Sequence, residues 1–205
     1  MNKPITKTEA AILSSRSVYW MNVKSVSDGM AKTERAIKAS TNAKLGKVVN
    51  VGRLKGARIF TLTLEERATC DNSCAHWKTC FGNNMPFATR YKMDDALLIQ
   101  IESDLEFYNA KGKSFLVRLH VLGDFPSVEY VAFWARMLCQ FENLNVYGYT
   151  ARLSGTPIGD AILSLRSPRF MVRQSGQFDG SNMSALSFDD ARSLPTVDAR
   201  KAIVC

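Results

Sequence analysis

From residue 57 onward the chain alternates short apolar runs with amphipathic stretches. Ala57 to Thr63 reads as a strand, and a polar, cysteine-bearing loop follows to about Pro86. Across residues 87–110, Leu97, Leu98, Ile101, Leu105 and Tyr108 recur at spacings of three and four, the period of a helix with one apolar face. Gly112 stops that helix, and Ser114 to Leu122 is strongly strand-like. Gly123-Asp124-Phe125-Pro126 turns, and Ser127 caps a helix running to Phe141. Leu144 to Thr150, Pro157 to Leu165 and Arg169 to Arg173 continue as strand, helix and strand. Weaker strands fall at Ala185–Phe188 and Ala202–Val204. Strands separated by helices predict parallel pairing through right-handed crossovers. The fold class is therefore α/β, a parallel-stranded partial (β/α) barrel or an open sheet of four to six strands.

Before residue 57 the texture differs. Thr8 to Leu13 and Ala31 to Ala39 read as helical pieces interrupted by Ser27-Asp28-Gly29, and Gly46, Gly52 and Gly56 mark a loop. Charge separates the same two regions. Residues 1–57 carry 11 Lys and Arg against 3 Asp and Glu, which equals the whole net charge of +8, while residues 58–205 hold 16 of each sign. The expected organisation is a basic helical arm over residues 1–56 and an α/β metal-binding domain over 57–205. A localised basic segment attracts phosphate backbones, so nucleic acid is the expected partner of residues 1–56, with Tyr19 and Trp20 available to stack on bases.

No apolar run approaches the ~18 residues that span a bilayer, and no secretory h-region follows the basic start. The expected location is the cytoplasm. Five cysteines, an odd number in a chain of this length, do not make a disulfide scaffold.

Three of the five fall in Thr69-Cys70-Asp71-Asn72-Ser73-Cys74-Ala75-His76-Trp77-Lys78-Thr79-Cys80, directly after the first strand. The carboxyl end of a parallel strand is where ligand chemistry gathers. Thiolates four and six residues apart in one loop can converge on a metal. Cys70, Cys74 and Cys80 are therefore candidate ligands of an iron–sulfur cluster; with His76 or Cys205 as a fourth ligand they suit zinc. Cys139, among Met137, Leu138 and Phe141, reads as a core residue.

The second constellation is Leu119-His120-Val121-Leu122-Gly123-Asp124-Phe125. Arg118 and His120, two apart on a strand, are expected to share one face, where an apolar row would otherwise stand. Gly123 and Asp124 follow at the carboxyl end. Tyr147, Tyr149, Thr150, Arg152, Arg173 and Ser175 lie on or after later strands. Collected at one rim they suit a phosphate, carboxylate or nucleotide, with His120, Asp124 and Arg118 as candidate catalytic groups and Gly123, Asp124, Tyr149, Arg152 and Arg173 as candidate cofactor contacts. No dinucleotide-binding, P-loop, nucleophile-elbow or zinc-protease motif occurs.

The runs Leu62 to Cys70, Cys80 to Met85, Val117 to Phe125 and Tyr147 to Arg152 resemble a family of phage and prophage proteins called gene product 88. The resemblance spans roughly residues 40–205 and implies a phage- or prophage-encoded protein of a bacterial host cell. Relatives continue past the position of Cys205 with further cysteines. More distantly, a three-cysteine loop after the first strand and Gly123-Asp124 after the second are similar to radical S-adenosylmethionine enzymes. That likeness implies a [4Fe-4S] cluster on Cys70, Cys74 and Cys80 and S-adenosylmethionine with its amino group on Asp124; with nucleic acid brought by the basic arm, its modification is the expected reaction class. The spacing CxxxCxxxxxC in place of CxxxCxxC, and Asp in place of Glu, depart from the pattern. The alternative expectation is a zinc-stabilised, non-catalytic protein that binds nucleic acid or a host partner.

Overall fold

The computed structural model describes residues 16–29, 34–43, 45–72, 74, 76–175, 184–185 and 203–204. Its centre is a five-stranded open sheet of β2 (Lys38–Ala39), β3 (Arg58–Thr61), β5 (Phe115–Leu119), β6 (Leu144–Thr150) and β7 (Phe170–Gln174), in that spatial order. The last four are parallel and β2 is antiparallel to β3. The sheet does not close into a barrel. Two two-stranded parallel sheets accompany it, β1 (Val23–Lys24) with β4 (Arg90–Tyr91) and β8 (Ser184–Ala185) with β9 (Ile203–Val204).

Four helices lie between the strands: α1 (Glu66–Thr69), α2 (Asp95–Asn109), α3 (Val128–Gln140) and α4 (Pro157–Ser164). Side-chain caps set the starts of the longer three. Asp94 accepts from Leu97 N at 2.9 Å, Ser127 from Tyr130 N at 3.2 Å, and Thr156 from Gly159 N at 3.2 Å just before Pro157. Because β3, β5, β6 and β7 follow one another in space as in sequence, right-handed crossovers place these helices on a single face. On that face Phe115, Val117, Leu119, Val146, Phe170 and Val172 join Leu97, Ile101, Tyr130 and Trp134 in one core. The ring of Tyr108 from α2 lies 4.0 Å from that of Phe60 and 5.9 Å from that of Phe115.

Several expectations change. The helix expected from residue 87 begins at Asp95, because Arg90 and Tyr91 are buried and pair with Val23–Lys24. The described part of the arm is not helical: it makes 3-10 turns over Trp20–Asn22 and Val26–Asp28, then strand β2. Nor is it detached. Ala36 and Ile37 are core residues, and Ile37 N donates to the buried carboxylate of Asp104 at 2.9 Å. Its apolar residues close the β3 side of the core. The piece expected at Thr8–Leu13 lies outside the described residues. Cys139 is exposed, since the buried stripe of α3 is Tyr130, Val131, Phe133, Trp134, Met137 and Leu138. Among the described residues no helix is long and apolar enough to cross a membrane.

Candidate functional site at the carboxyl edge

Strands β3 and β5 stay paired past their ends, with Val121 N donating to Leu62 O and Leu64 N to Leu122 O. The chain then turns through α1 into Cys70. The loop from Glu66 to Arg90 closes on a fully buried ion pair, Arg90 Nε to Glu66 Oε2 at 2.9 Å. The rest of the Arg90 guanidinium donates to the carbonyls of Gly82, Met85 and Ala88, and Ser17 Oγ donates to Glu66 Oε1 at 2.8 Å. Every loop carbonyl that Arg90 reaches is thus fixed from inside. Nothing local in the sequence ties Glu66 to a base 24 residues on, so this pair has no sequence signature.

Gly123 and Asp124 lie against this loop. Gly123 has a positive φ of 88°, and a Cβ there would sit 2.7 Å from Leu64 Cβ and Thr69 Oγ1, so only glycine lets β5 turn so close. Asp124 is buried and accepts from Thr150 Oγ1 at 2.6 Å, Phe125 N at 2.8 Å and Ala151 N at 2.8 Å. Burial pushes its carboxyl up, and these bonds oppose the rise. Arg152 donates to Phe125 O, Asp71 Oδ2 and Thr69 O, all within 2.8 Å. Asp124 and Arg152 therefore latch the end of β6 to the cysteine loop. Asp124 is 3% exposed, and its oxygens already receive three of the roughly four hydrogen bonds a carboxylate accepts, so it is engaged in holding the fold.

Cys70, Cys74 and Cys80 lie along this edge; negative charge on Cys74 or Cys80 disfavours charge on Cys70, and negative charge on Cys74 disfavours charge on Cys80. Burial pushes the Cys70 thiol up, and Asp124 adds to it. Burial also raises the Cys80 thiol, against the pull of the Gly82 N–H donated to its sulfur. Beside them lies Arg67, 3% exposed, its guanidinium 4.6 Å above the Trp77 ring. Its Nη2 donates to Asn83 Oδ1 at 3.5 Å, its Nε and Nη1 have no hydrogen-bond partner among the described residues, and its charge favours thiolate at Cys80. Three thiols near a buried cation suit a negatively charged metal–thiolate centre in donor chemistry. The cage is not preformed: among the described residues no three His, Cys, Asp or Glu side chains are placed to hold one ion. His76 stands exposed, with Nδ1 3.4 Å from Thr79 Oγ1, and Cys205 lies outside the described residues.

His120 does not share the face of Arg118. The Leu119–His120 peptide is cis. The ring is buried against Phe125 and Tyr130, with Nε2 3.0 Å from Tyr130 Oη. Burial drives its pKa down to about 3, so the folded chain holds a neutral imidazole. In the unfolded chain it protonates near pH 6.5. Unfolding therefore takes up a proton below that pH, and stability contributed by this residue is lost as pH falls from 6.5 toward 3. We expect His120 to lower the unfolding free energy by roughly 2–3 kcal/mol between pH 7 and 4.5. Urea titrations at both pH values check this: the His120→Gln variant should lose that much less than the wild type on acidification, and equal losses would contradict it.

Arg118, Tyr149 and Arg173 occupy the opposite face of the sheet, half-buried, away from His120. The expected single rim is thus two places, a latched edge of thiols and a cationic face without a helix among the described residues.

Comparison with known proteins returns a match between residues 31–157 and the Gene product 88 family. Nothing among curated proteins or solved structures matches the chain. The likeness to radical S-adenosylmethionine enzymes receives no support from these comparisons. The matched segment covers β2 to the start of α4, and with it the cysteine loop, Glu66, Arg90, Asp124 and Arg152. The chain belongs to the Gene product 88 family of phage proteins.

Proposed function

We propose that this chain is a thiolate metal-binding protein that works on nucleic acid, its metal held by Cys70, Cys74 and Cys80. The observation that carries the proposal is three thiols on one loop within electrostatic reach, beside the buried Arg67 guanidinium, whose charge favours thiolate at Cys80 and whose Nε and Nη1 have no partner among the described residues. A metal–thiolate group carries net negative charge, and a buried arginine with free donors is the compensation it needs. The metal would supply Lewis acidity or, as an iron–sulfur cluster, electron transfer. The chain's residues orient it: Arg90 and Arg152 fix the loop backbone, and Arg67 offers N–H groups to sulfur. Since no three donors surround one point among the described residues, Cys70, Cys74 and Cys80 would have to move closer together and give up their protons to hold a metal. S-adenosylmethionine is not part of this proposal, because Asp124 is already engaged.

A zinc staple without catalysis is the other reading. The internal bonds of Arg90 and Arg152 weigh against it, because they hold the loop with protein groups alone. Anaerobic purification with iron, sulfide and zinc analysis tests the proposal. Stoichiometric metal is expected in the wild type and in Cys139→Ser, and background metal in Cys70→Ser, Cys74→Ser and Cys80→Ser. Metal-free protein whose three thiols alkylate as fast with added metal as without would overturn it. Chelation should leave the melting temperature of the body nearly unchanged; cooperative unfolding on chelation would instead establish the zinc staple.

Nucleic acid enters through charge. Lys47 and Lys55 are exposed in the basic first part of the chain, and Arg58 just after it. Removing residues 1–56 does not test this, because it would take Ala36 and Ile37 out of the core. Neutralising exposed lysines does.

A further inference from the structure

The parallel register places Arg118 beside Tyr147, and Tyr149 beside Arg173, in adjacent rows of one sheet face. The residues between them in sequence, Val117, Leu119, Val146 and Val172, point into the core under the helices. The face itself carries Ile59, Thr61, Leu116, Arg118, Asn145, Tyr147, Tyr149, Met171 and Arg173, with no carboxylate in β3, β5, β6 or β7 to neutralise its arginines. Other arginines of this molecule are tied down: Arg90, Arg152 and Arg169 each donate to three or more protein oxygens, and Arg67 is the exception beside the thiols. Arg118 and Arg173 make no ion pair or side-chain hydrogen bond among the described residues, and Arg118 Nε is buried without a partner.

The geometry points to this face, on which no helix packs among the described residues, as a platform for single-stranded nucleic acid, Tyr147 and Tyr149 stacking on successive bases while Arg118 and Arg173 take the phosphates. Two tyrosines two residues apart on one strand stand about 7 Å from each other, along a row that an extended strand can follow. Rings on a pleated sheet stack on unpaired bases, as sheet-based single-strand binders do, whereas a duplex keeps its bases covered. Burial holds the Tyr147 phenol protonated, so no negative charge from it meets the phosphates. The half-buried setting strengthens each contact over one made in open water. This inference rests on the nucleic-acid part of the proposed function and moves the principal contact from the basic arm to the sheet.

Fluorescence anisotropy of the full chain with labelled 12-nucleotide oligo(dT) and oligo(rU) tests it, with melting curves reporting folding. The Tyr147→Leu/Tyr149→Leu variant should bind about 30-fold more weakly or worse, from ~1 kcal/mol or more of stacking per base. Tyr147→Phe/Tyr149→Phe, which keeps the rings, should bind like the wild type. Arg118→Gln/Arg173→Gln should flatten the logarithmic salt slope by about 1.4, and the lysine substitutions should restore it. A duplex of equal length should bind more weakly than the single strand. Folded tyrosine and arginine variants that bind as tightly as the wild type overturn the inference. If the Lys3→Gln/Lys7→Gln/Lys47→Gln/Lys55→Gln variant alone loses binding, nucleic acid remains the partner and the platform is wrong. A wild type that binds neither oligonucleotide removes both.

Discussion

Replacing Glu66 with alanine should lower the unfolding free energy by ~3–5 kcal/mol, because it leaves the Arg90 guanidinium charged, buried and unpaired. Against a typical ~5–15 kcal/mol for a folded domain, that is a large share of the total. Arg90→Met should cost at least as much. It strands the Glu66 carboxylate and the Ala88 carbonyl, the latter ~1–3 kcal/mol when left without a donor, while the Gly82 and Met85 carbonyls lose one of two donors and keep the N–H groups of Met85 and Ala88. The double variant Glu66→Met/Arg90→Met should recover part of the loss, since removing both charges removes the desolvation problem and leaves only the carbonyls. Urea denaturation of the three variants decides. Single substitutions costing under about 1 kcal/mol would mean that the pair is solvated and the loop is held by something else. The functional consequence follows from position. Arg90 fixes the backbone after Cys80 and Glu66 starts the turn into Cys70, so a folded variant of either should hold metal poorly although no thiol has changed.

The sheet was legible because its signals are local. Leu144 to Thr150 is a strand with the expected bounds, Ser127 caps its helix, Pro157 opens the next, and the order of elements gives parallel strands. Gly29, with φ of 87°, ends the Val26–Asp28 turn where Ser27-Asp28-Gly29 interrupts the pattern. What was not legible depends on partners far away in sequence. Lys38–Ala39 has the composition of a helix and becomes a strand because β3 offers it a free edge. Arg90 and Tyr91 look like the first turn of a helix until Val23 and Lys24 pair with them. The candidate site divides in the same way. The cysteine loop and its seat after the first parallel strand could be read from spacing and order. The occupation of Asp124 and Arg152 could not, because their partners Thr150, Ala151, Thr69 and Phe125 come from separate strand ends and loops. Period-two alternation correctly put Arg118 opposite Val117 and Leu119 but failed at His120, the first residue beyond the strand.

Gly148→Ala should prevent stable folding or cost more than ~4 kcal/mol, near the upper end for single substitutions. Gly148 pairs with Leu119 at the centre of the sheet. A Cβ added there would lie 1.5 Å from the Leu119 carbonyl oxygen and 2.6 Å from its carbon. The obstacle is backbone, so no rotamer change relieves it, and β5 and β6 must separate where Leu119, Val146 and Val172 are most tightly packed. Gly155→Ala is the control. Its positive φ of 82° makes alanine strained, but nothing lies within 4 Å of the added carbon, so the cost should stay near the ~1–3 kcal/mol of a left-handed non-glycine residue. Thermal melts of the two variants separate close approach from backbone strain. A Gly148→Ala protein melting like Gly155→Ala would mean that β5 and β6 are not this close. Arg118 would then lose its place beside Tyr147, and the cationic, aromatic face would lose the register on which its proposed use depends.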